Sequence, residues 1–277
     1  MQEIIYCRWS PTLGELESDA LSVWGTPEYE GDRNNSTVFF GLYGLPDFYT
    51  LWRHKGKKYI LWAGSDITNF INGYWLDKEG KIKLELGKWE ISRWINEYCE
   101  SWVENQVEHD ALKEIGIESK VCPSFLGNVN DFEYSYRHSE TPSVYTSVSG
   151  DNFELYGWDK IPELAALNLD IKFHLYGNIG SPPYVFTQNV IFHGRVPKEQ
   201  MNEEIKKMQG ALRLTEFDGA SEIIVKAMLW GQYAFSLIEY PFVDKVSSLS
   251  LLKYRESPNI KGREWWVKNL NQFPWNK

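Results

Sequence analysis

The sequence predicts an α/β protein of two domains, each built on a parallel sheet with helical crossovers. Three observations lead there. From Ser143 onward, apolar runs of strand length alternate with segments of helix length, the pattern of a doubly wound parallel sheet. In the first half, strand-like runs at 38–43 and 59–63 enclose a helix-like segment at 46–54, the spacing of a strand–helix–strand unit. The length, 277 residues, suits two domains of about 140 residues each.

The elements follow in order. Residues 4–9, 38–43 and 59–63 read as buried strands. The helix at 46–54 opens on Pro46 and closes near Gly56. After Asp66 the pattern loosens, and Asp77-Lys78-Glu79-Gly80 reads as a hairpin tip. Residues 91–98 and 103–115 read as helices, the second stopped by Gly116, and 119–123 as a strand. The polar stretch 128–141, closed by Pro142, is the linker candidate, which sets domains of 1–137 and 138–277. The second domain then reads as strands at 144–148, 171–176, 190–193, 211–214 and 233–238, with helices at 158–167, 198–208 and 221–230. His174 alternates within a strand and reads as a core or sheet-face residue.

Composition narrows the function classes. No apolar run approaches the roughly 18 to 20 residues that cross a bilayer, so no transmembrane segment is expected. Residues 1–6 show no basic and then apolar leader. Cys7, Cys99 and Cys122 are widely spaced, which suits reduced thiols in a cytoplasmic protein and offers no zinc site. A net charge of -9 disfavours duplex nucleic acid as the main partner. Thirteen Trp suit both sugar stacking and an ordinary core.

The most informative stretch is 212–231. An apolar strand end (Leu212, Leu214) runs into a polar turn with Asp218-Gly219, and a helix opens at Ser221 and ends at Gly231. Polar groups thus stand at the carboxyl end of a strand, where α/β folds bind ligands. Ser221 reads as a helix cap, and free N–H groups above such a cap attract anions.

Arg213-x-Thr215-x-x-Asp218-Gly219-x-Ser221, followed by Lys226 and Ala227 and then Gly231, resembles the donor-sugar motif of retaining, family-four-like GT-B glycosyltransferases. That family carries two acidic residues eight apart. Here the matching positions are Asp218 and Lys226, so the second departs from the family's Glu. Trp62-Ala63-Gly64-Ser65-Asp66 resembles the family's acceptor loop, with Ala63 in place of His. Tyr156 to Lys160, Phe173 to Gly177 and Ile191 to Gly194 follow the donor domain in order. The likeness covers roughly residues 38–245 and leaves 1–37 unaligned.

The resemblance implies two Rossmann-like domains facing across a cleft, with a helix around Arg263-Glu264-Trp265-Trp266 returning to the first. It implies transfer of a hexosyl or pentosyl group from a nucleotide sugar to an acceptor hydroxyl. Retention of configuration, no metal and no cofactor are expected with it. The acceptor stays open: a glycan, a lipid-linked sugar or a modified base. Asp218, Lys160 and Arg195 are the candidate catalytic residues, the two cations serving the departing diphosphate. Gly194, Arg213, Thr215, Gly219, Ser221, Glu222 and Lys226 are candidates for the donor, and Ser65 and Asp66 for the acceptor. Read from the residues alone, Lys160 and Arg195 equally suit solvated surface cations, Asp66 a helix cap, and Glu222–Lys226 a surface ion pair. Lys donates hydrogen bonds and accepts none, so either Glu222 takes over the ribose hydroxyls or the donor differs. Two other classes stay open: an inactive glycosyltransferase-like binding protein, and a phage-type DNA-base glycosyltransferase.

Overall fold

The computed structural model of the chain describes residues 3–14, 21–73 and 87–276. It divides into two compact units. The first comprises Met1–Asn128, Phe217–Ala220 and Asn269–Lys277; the second comprises Val129–Glu216 and Ser221–Lys268.

The first unit is a five-stranded parallel sheet of β1 (Ile5–Trp9), β2 (Ser36–Phe40), β3 (Lys58–Leu61), β4 (Cys99–Val103) and β5 (Ser119–Val121). Spatial order follows chain order, each strand pairing with the next. Its helices are α1 (Leu45–Arg53), α2 (Ser65–Ile71), α3 (Lys88–Tyr98) and α4 (Gln106–Glu114). β2 is β-branched and aromatic (Ser-Thr-Val-Phe-Phe) and buried at every position, as a central parallel strand must be. Its side chains alternate between two cores. On one face Phe39 and Ile60 pack with Phe48 and Leu51 of α1, Ile67 of α2, Ile91 and Ile95 of α3 and Leu112 of α4. On the other, Val38, Phe40, Tyr59 and Leu61 pack with Trp24, Phe273 and Trp275. The tail segment belongs to this unit because it covers that second face. Asn271 fastens it, accepting from the Phe125 N–H at 2.9 Å and donating to the Phe125 carbonyl at 2.8 Å.

Two local expectations change here. The helix expected at 103–115 starts at Gln106, and Val103 instead ends β4. The inward positions of β4 include Ser101, so the strand carries a weak apolar signal. A helix, α2, begins at Ser65, with Gly64 at the cap position and Asp66, expected as the cap, inside its first turn. The turn at Asp77 to Gly80 lies outside the described residues.

The second unit is a six-stranded parallel sheet of β6 (Ser143–Ser147), β7 (Lys172–Tyr176), β8 (Val190–Gly194), β9 (Gly210–Arg213), β10 (Tyr233–Ser236) and β11 (Asp244–Lys245). Its helices are α5 (Ile161–Leu167), α6 (Lys198–Ile205), α7 (Glu222–Leu229) and α8 (Ile260–Asn269). All its strands are parallel, as expected, but the alternation with helices is broken: among the described residues no helix stands between β7 and β8 or between β10 and β11. The spatial order is β11-β10-β9-β6-β7-β8. The chain therefore runs outward from β6 to β8, then returns beside β6 and runs the other way. β6 and β9 flank the reversal, the position at which open parallel sheets bind ligands beyond their carboxyl ends. Val144, Phe173, Leu175 and Leu212 pack with Trp158, Ile161 and Leu164 in its core. Trp24, Trp62, Trp158, Trp266 and Trp275 are all buried, so much of the tryptophan content serves packing.

Candidate functional site

The reversal between β6 and β9 collects several of the candidate residues. Arg213 ends β9 and is 8% exposed. Its guanidinium lies 4.3 Å over the Tyr156 ring, and Nη1 reaches the carbonyl of Ser147, at the end of β6, at 3.5 Å. Stacking and burial fix the direction of this charge. Two residues on, Thr215 is buried and its Oγ1 has no hydrogen-bond partner. An unpaired buried hydroxyl is costly, and a ligand that bonded it would recover that cost.

Gly157 brings Lys160 to the same place. Its φ is +72°, and a Cβ there would overlap the Leu214 carbonyl. Glycine alone lets the 157–160 turn lie against the end of β9. Buried Trp158 anchors the turn. Lys160 Nζ then stands 3.2 Å from Asp159 and 3.5 Å from Glu216. Burial works against its charge, but the two carboxylates outweigh burial and hold its pKa up. On the far side of β6, Gly177 N–H donates to the Gly194 carbonyl at 2.8 Å, joining the ends of β7 and β8. Arg195 follows, exposed and without an ion pair among the described residues.

α7 starts at Glu222, with Ser221 in the cap position, but the Ser221 side chain makes no capping bond. Every residue from Ile223 to Leu229 is buried, so packing rather than capping holds this helix. Lys226 is among them. Its Nζ is 2.8 Å from Glu222 and donates to Asn202 Oδ1 at 2.8 Å. Lys198 lies 3.6 Å from the same Glu222 carboxylate. Burial would raise the Glu222 pKa, but the two lysines overcome it and hold the carboxylate ionised. The pair is thus an anchored ion pair with its lysine inside.

A second cluster lies between β7, β8 and α6. His174 Nδ1 and His193 Nε2 are 2.8 Å apart, His193 Nδ1 is 3.5 Å from Glu204, and the Tyr176 hydroxyl donates to Glu204 at 2.8 Å. Burial, then His193 and Lys172, push the His174 pKa down to about 4. His174 is therefore a neutral, partly buried sheet-face residue.

In the first unit, Ser65 is exposed and Asp66 is fully buried. Asp66 Oδ2 accepts from the Leu42 N–H at 2.8 Å and Oδ1 from the Ala63 N–H at 3.0 Å. It stands inside the first turn of α2, with Gly64 at the cap position. Its carboxylate pins together the loops that follow β2 and β3. Burial raises its pKa to about 6 against the pull of these donors.

Asp218 and Gly219 belong to this unit too, with Phe217 and Ala220. Ala220 N–H donates to Glu104 Oε2 at 2.8 Å, and Asn105 Nδ2 donates to the Asp218 carbonyl at 2.7 Å. Glu104 and Asn105 link β4 to α4. Glu104 also accepts from the Ser124 hydroxyl, and burial, with Asp218 and Asp66 nearby, raises its pKa to about 7. Sequence reasoning passed over Glu104, Asn105 and Glu108. A signal was present: Asn105-x-x-Glu108 has the spacing of a helix-capping box, and Asn105 Oδ1 does accept from the Glu108 N–H at 3.1 Å. Among the described residues no His, Cys, Asp and Glu side chains group as a metal site. No helix among them is long and apolar enough to cross a membrane.

No protein-family model matches the chain, and no curated protein does either. Solved structures do. The chain is similar to Anabaena HepE crystallised with UDP, at 12% identity over 89% of this chain and 87% of that one, with a TM-score of 0.50. It is similar to sucrose-phosphate synthase from Thermosynechococcus elongatus, at 12% identity over 82% of this chain and 59% of that one, with a TM-score of 0.50. The fold is the GT-B fold. A third GT-B likeness is to S. aureus TarM, at 16% identity and a TM-score of 0.49; it covers 86% of this chain and 48% of TarM. The chain thus spans about half the length of TarM.

Proposed function

We propose that this chain is a glycosyltransferase that moves a hexosyl or pentosyl group from a nucleotide sugar to an acceptor hydroxyl, with retention and without a metal. One observation carries the reading. Buried Arg213 ends β9, the unpartnered hydroxyl of Thr215 follows it, and Lys160 pairs with the next residue, Glu216, all beside the point where the parallel sheet reverses. An anion with several acceptor oxygens suits that set. Arg213 offers a planar fork of donors and Thr215 a hydroxyl, and Lys160 supplies a charge that a diphosphate could draw from Glu216. Leaving-group charge must be stabilised in such a transfer, and these cations, with Arg195, are the groups to do it. The motif resemblance around Asp218 and the shared GT-B fold point the same way. Ser65 is the accessible member of the proposed acceptor pair, while Asp66 shapes the loop that carries it.

The test is a thermal-shift screen against UDP, GDP, ADP and CMP sugars, followed by transfer assays with the donor that binds. A ligand of the native state raises its melting temperature. Absence of a shift with all four classes would sink the proposal. A second reading, a binding protein without transfer activity, is favoured by the Lys226–Glu222–Asn202 contacts, which occupy the helix position where the family carries Glu. Donor binding without hydrolysis or transfer would select it.

A further inference from the structure

Phe217–Ala220 is attached to the first unit in three different ways. The Ala220 N–H donates to Glu104 Oε2 at 2.8 Å. The Asn105 amide donates to the Asp218 carbonyl at 2.7 Å. Gly219, between them, lies so close that a Cβ on it would overlap Glu104 Oε2. The two gripping side chains are themselves held. Glu104 takes the Ser124 hydroxyl on its other oxygen, and its own N–H donates to Glu108 Oε2 at 2.7 Å. Asn105 uses its carbonyl to cap α4 through the Glu108 N–H at 3.1 Å, which aims its amide at residue 218. Glu108 is fully buried behind them, with Oε1 lacking a hydrogen-bond partner. Burying carboxyl groups this closely is unfavourable unless they hold something in place.

We propose that Glu104 and Asn105 are positioning residues that clasp the backbone of residues 218–220 and so fix the direction of the Asp218 side chain. The consequence for catalysis rests on the transferase reading above; the clasp itself does not. Neither residue touches substrate in this scheme. The loop sequence Phe217-Asp218-Gly219-Ala220 has one small residue and one glycine, which let it seat against a carboxylate.

The test compares wild type with Glu104→Ala, Glu104→Gln and Asn105→Ser. A glutamine can accept from Ala220 and donate to Ser124, so it keeps the clasp. A serine can still cap α4 but is too short to reach Asp218. Amide hydrogen exchange at Gly219 and Ala220 reads the clasp directly and needs no activity. Exchange there is expected to rise about tenfold in Glu104→Ala and Asn105→Ser and to return to the wild-type rate in Glu104→Gln. In the transfer assay kcat should fall about tenfold in the first two variants, with donor KM changed less than about twofold. A purely structural role would leave kcat unchanged among the folded molecules. Equal exchange in all four proteins overturns the clasp. Faster exchange with an unchanged kcat overturns the positioning role. If wild type transfers no sugar, the transferase reading falls and the exchange data alone decide the clasp.

Discussion

Asp66 makes the stability of this chain fall as pH rises through the slightly acidic range, and the effect can be isolated. The carboxyl group is fully buried, and burial lifts its pKa from 3.8 to about 6 despite two backbone donors at 2.8 and 3.0 Å. Because the folded value lies above the unfolded one, the contribution is fully present below about pH 4 and is lost as pH rises through 6. Between pH 4 and 7.5 the loss is about 2 to 3 kcal/mol. Asp66→Asn removes this slope. It also sets an amide NH2 against one of the two N–H donors, a cost of about 1 to 3 kcal/mol at every pH. The variant should therefore be clearly less stable than wild type near pH 4 and close to it, or above it, by pH 7.5. Urea unfolding of both proteins across that range measures the difference, and groups common to both that do not sense Asp66, such as His174, cancel. Parallel stability curves would show that Asp66 titrates alike in the folded and unfolded chains. The account of its burial would then be wrong.

Other outcomes follow from the same geometry. Gly157→Ala should lower stability by at least about 2 kcal/mol, from left-handed strain and overlap with the Leu214 carbonyl, read by denaturant unfolding. Lys160→Ala and Arg195→Ala should each cost about 1.5 to 3 kcal/mol in kcat/KM for the donor while leaving melting temperature nearly unchanged; full activity in both would remove them from the donor site. Asp218→Ala should strongly reduce transfer with the fold intact by circular dichroism, since α7 begins four residues later, at Glu222. Glu222→Ala should raise the donor dissociation constant by calorimetry more than Lys226→Ala does, because only the carboxylate can accept from ribose hydroxyls.

Much of the architecture was legible because parallel strands buried on both faces leave continuous apolar runs, as Thr-Val-Phe-Phe in β2 does. β4 escaped because Ser101 fills one of its inward positions, and its end merges with a helix only two residues on. At the candidate site, the sequence spacing around Arg213, Thr215 and Asp218 marked a loop beyond a strand. It could not tell that Asp218 and Arg213 are counted in different compact units. Nor could it show that Lys226 is buried rather than part of a surface pair, since only the placement of Asn202 and Glu222 reveals it. Glu104 was invisible for a similar reason. Its partner, the Ala220 N–H, is 116 residues away and belongs to the backbone, which carries no residue-specific signal.

The placement of Phe273 and Trp275 in the core of the first sheet bears on how the protein is made. Val38, Phe40, Tyr59 and Leu61 are translated before the second unit, yet two of the rings that cover them, Phe273 and Trp275, follow that unit in the chain. Trp275 lies 6.2 Å from Trp24 and 5.5 Å from Tyr59, and stacks on Phe273 at 4.6 Å. Throughout synthesis of the second unit, one face of the first sheet therefore waits partly uncovered, an apolar surface of the kind that chaperones bind. The nascent chain cannot complete its units in the order in which they are encoded.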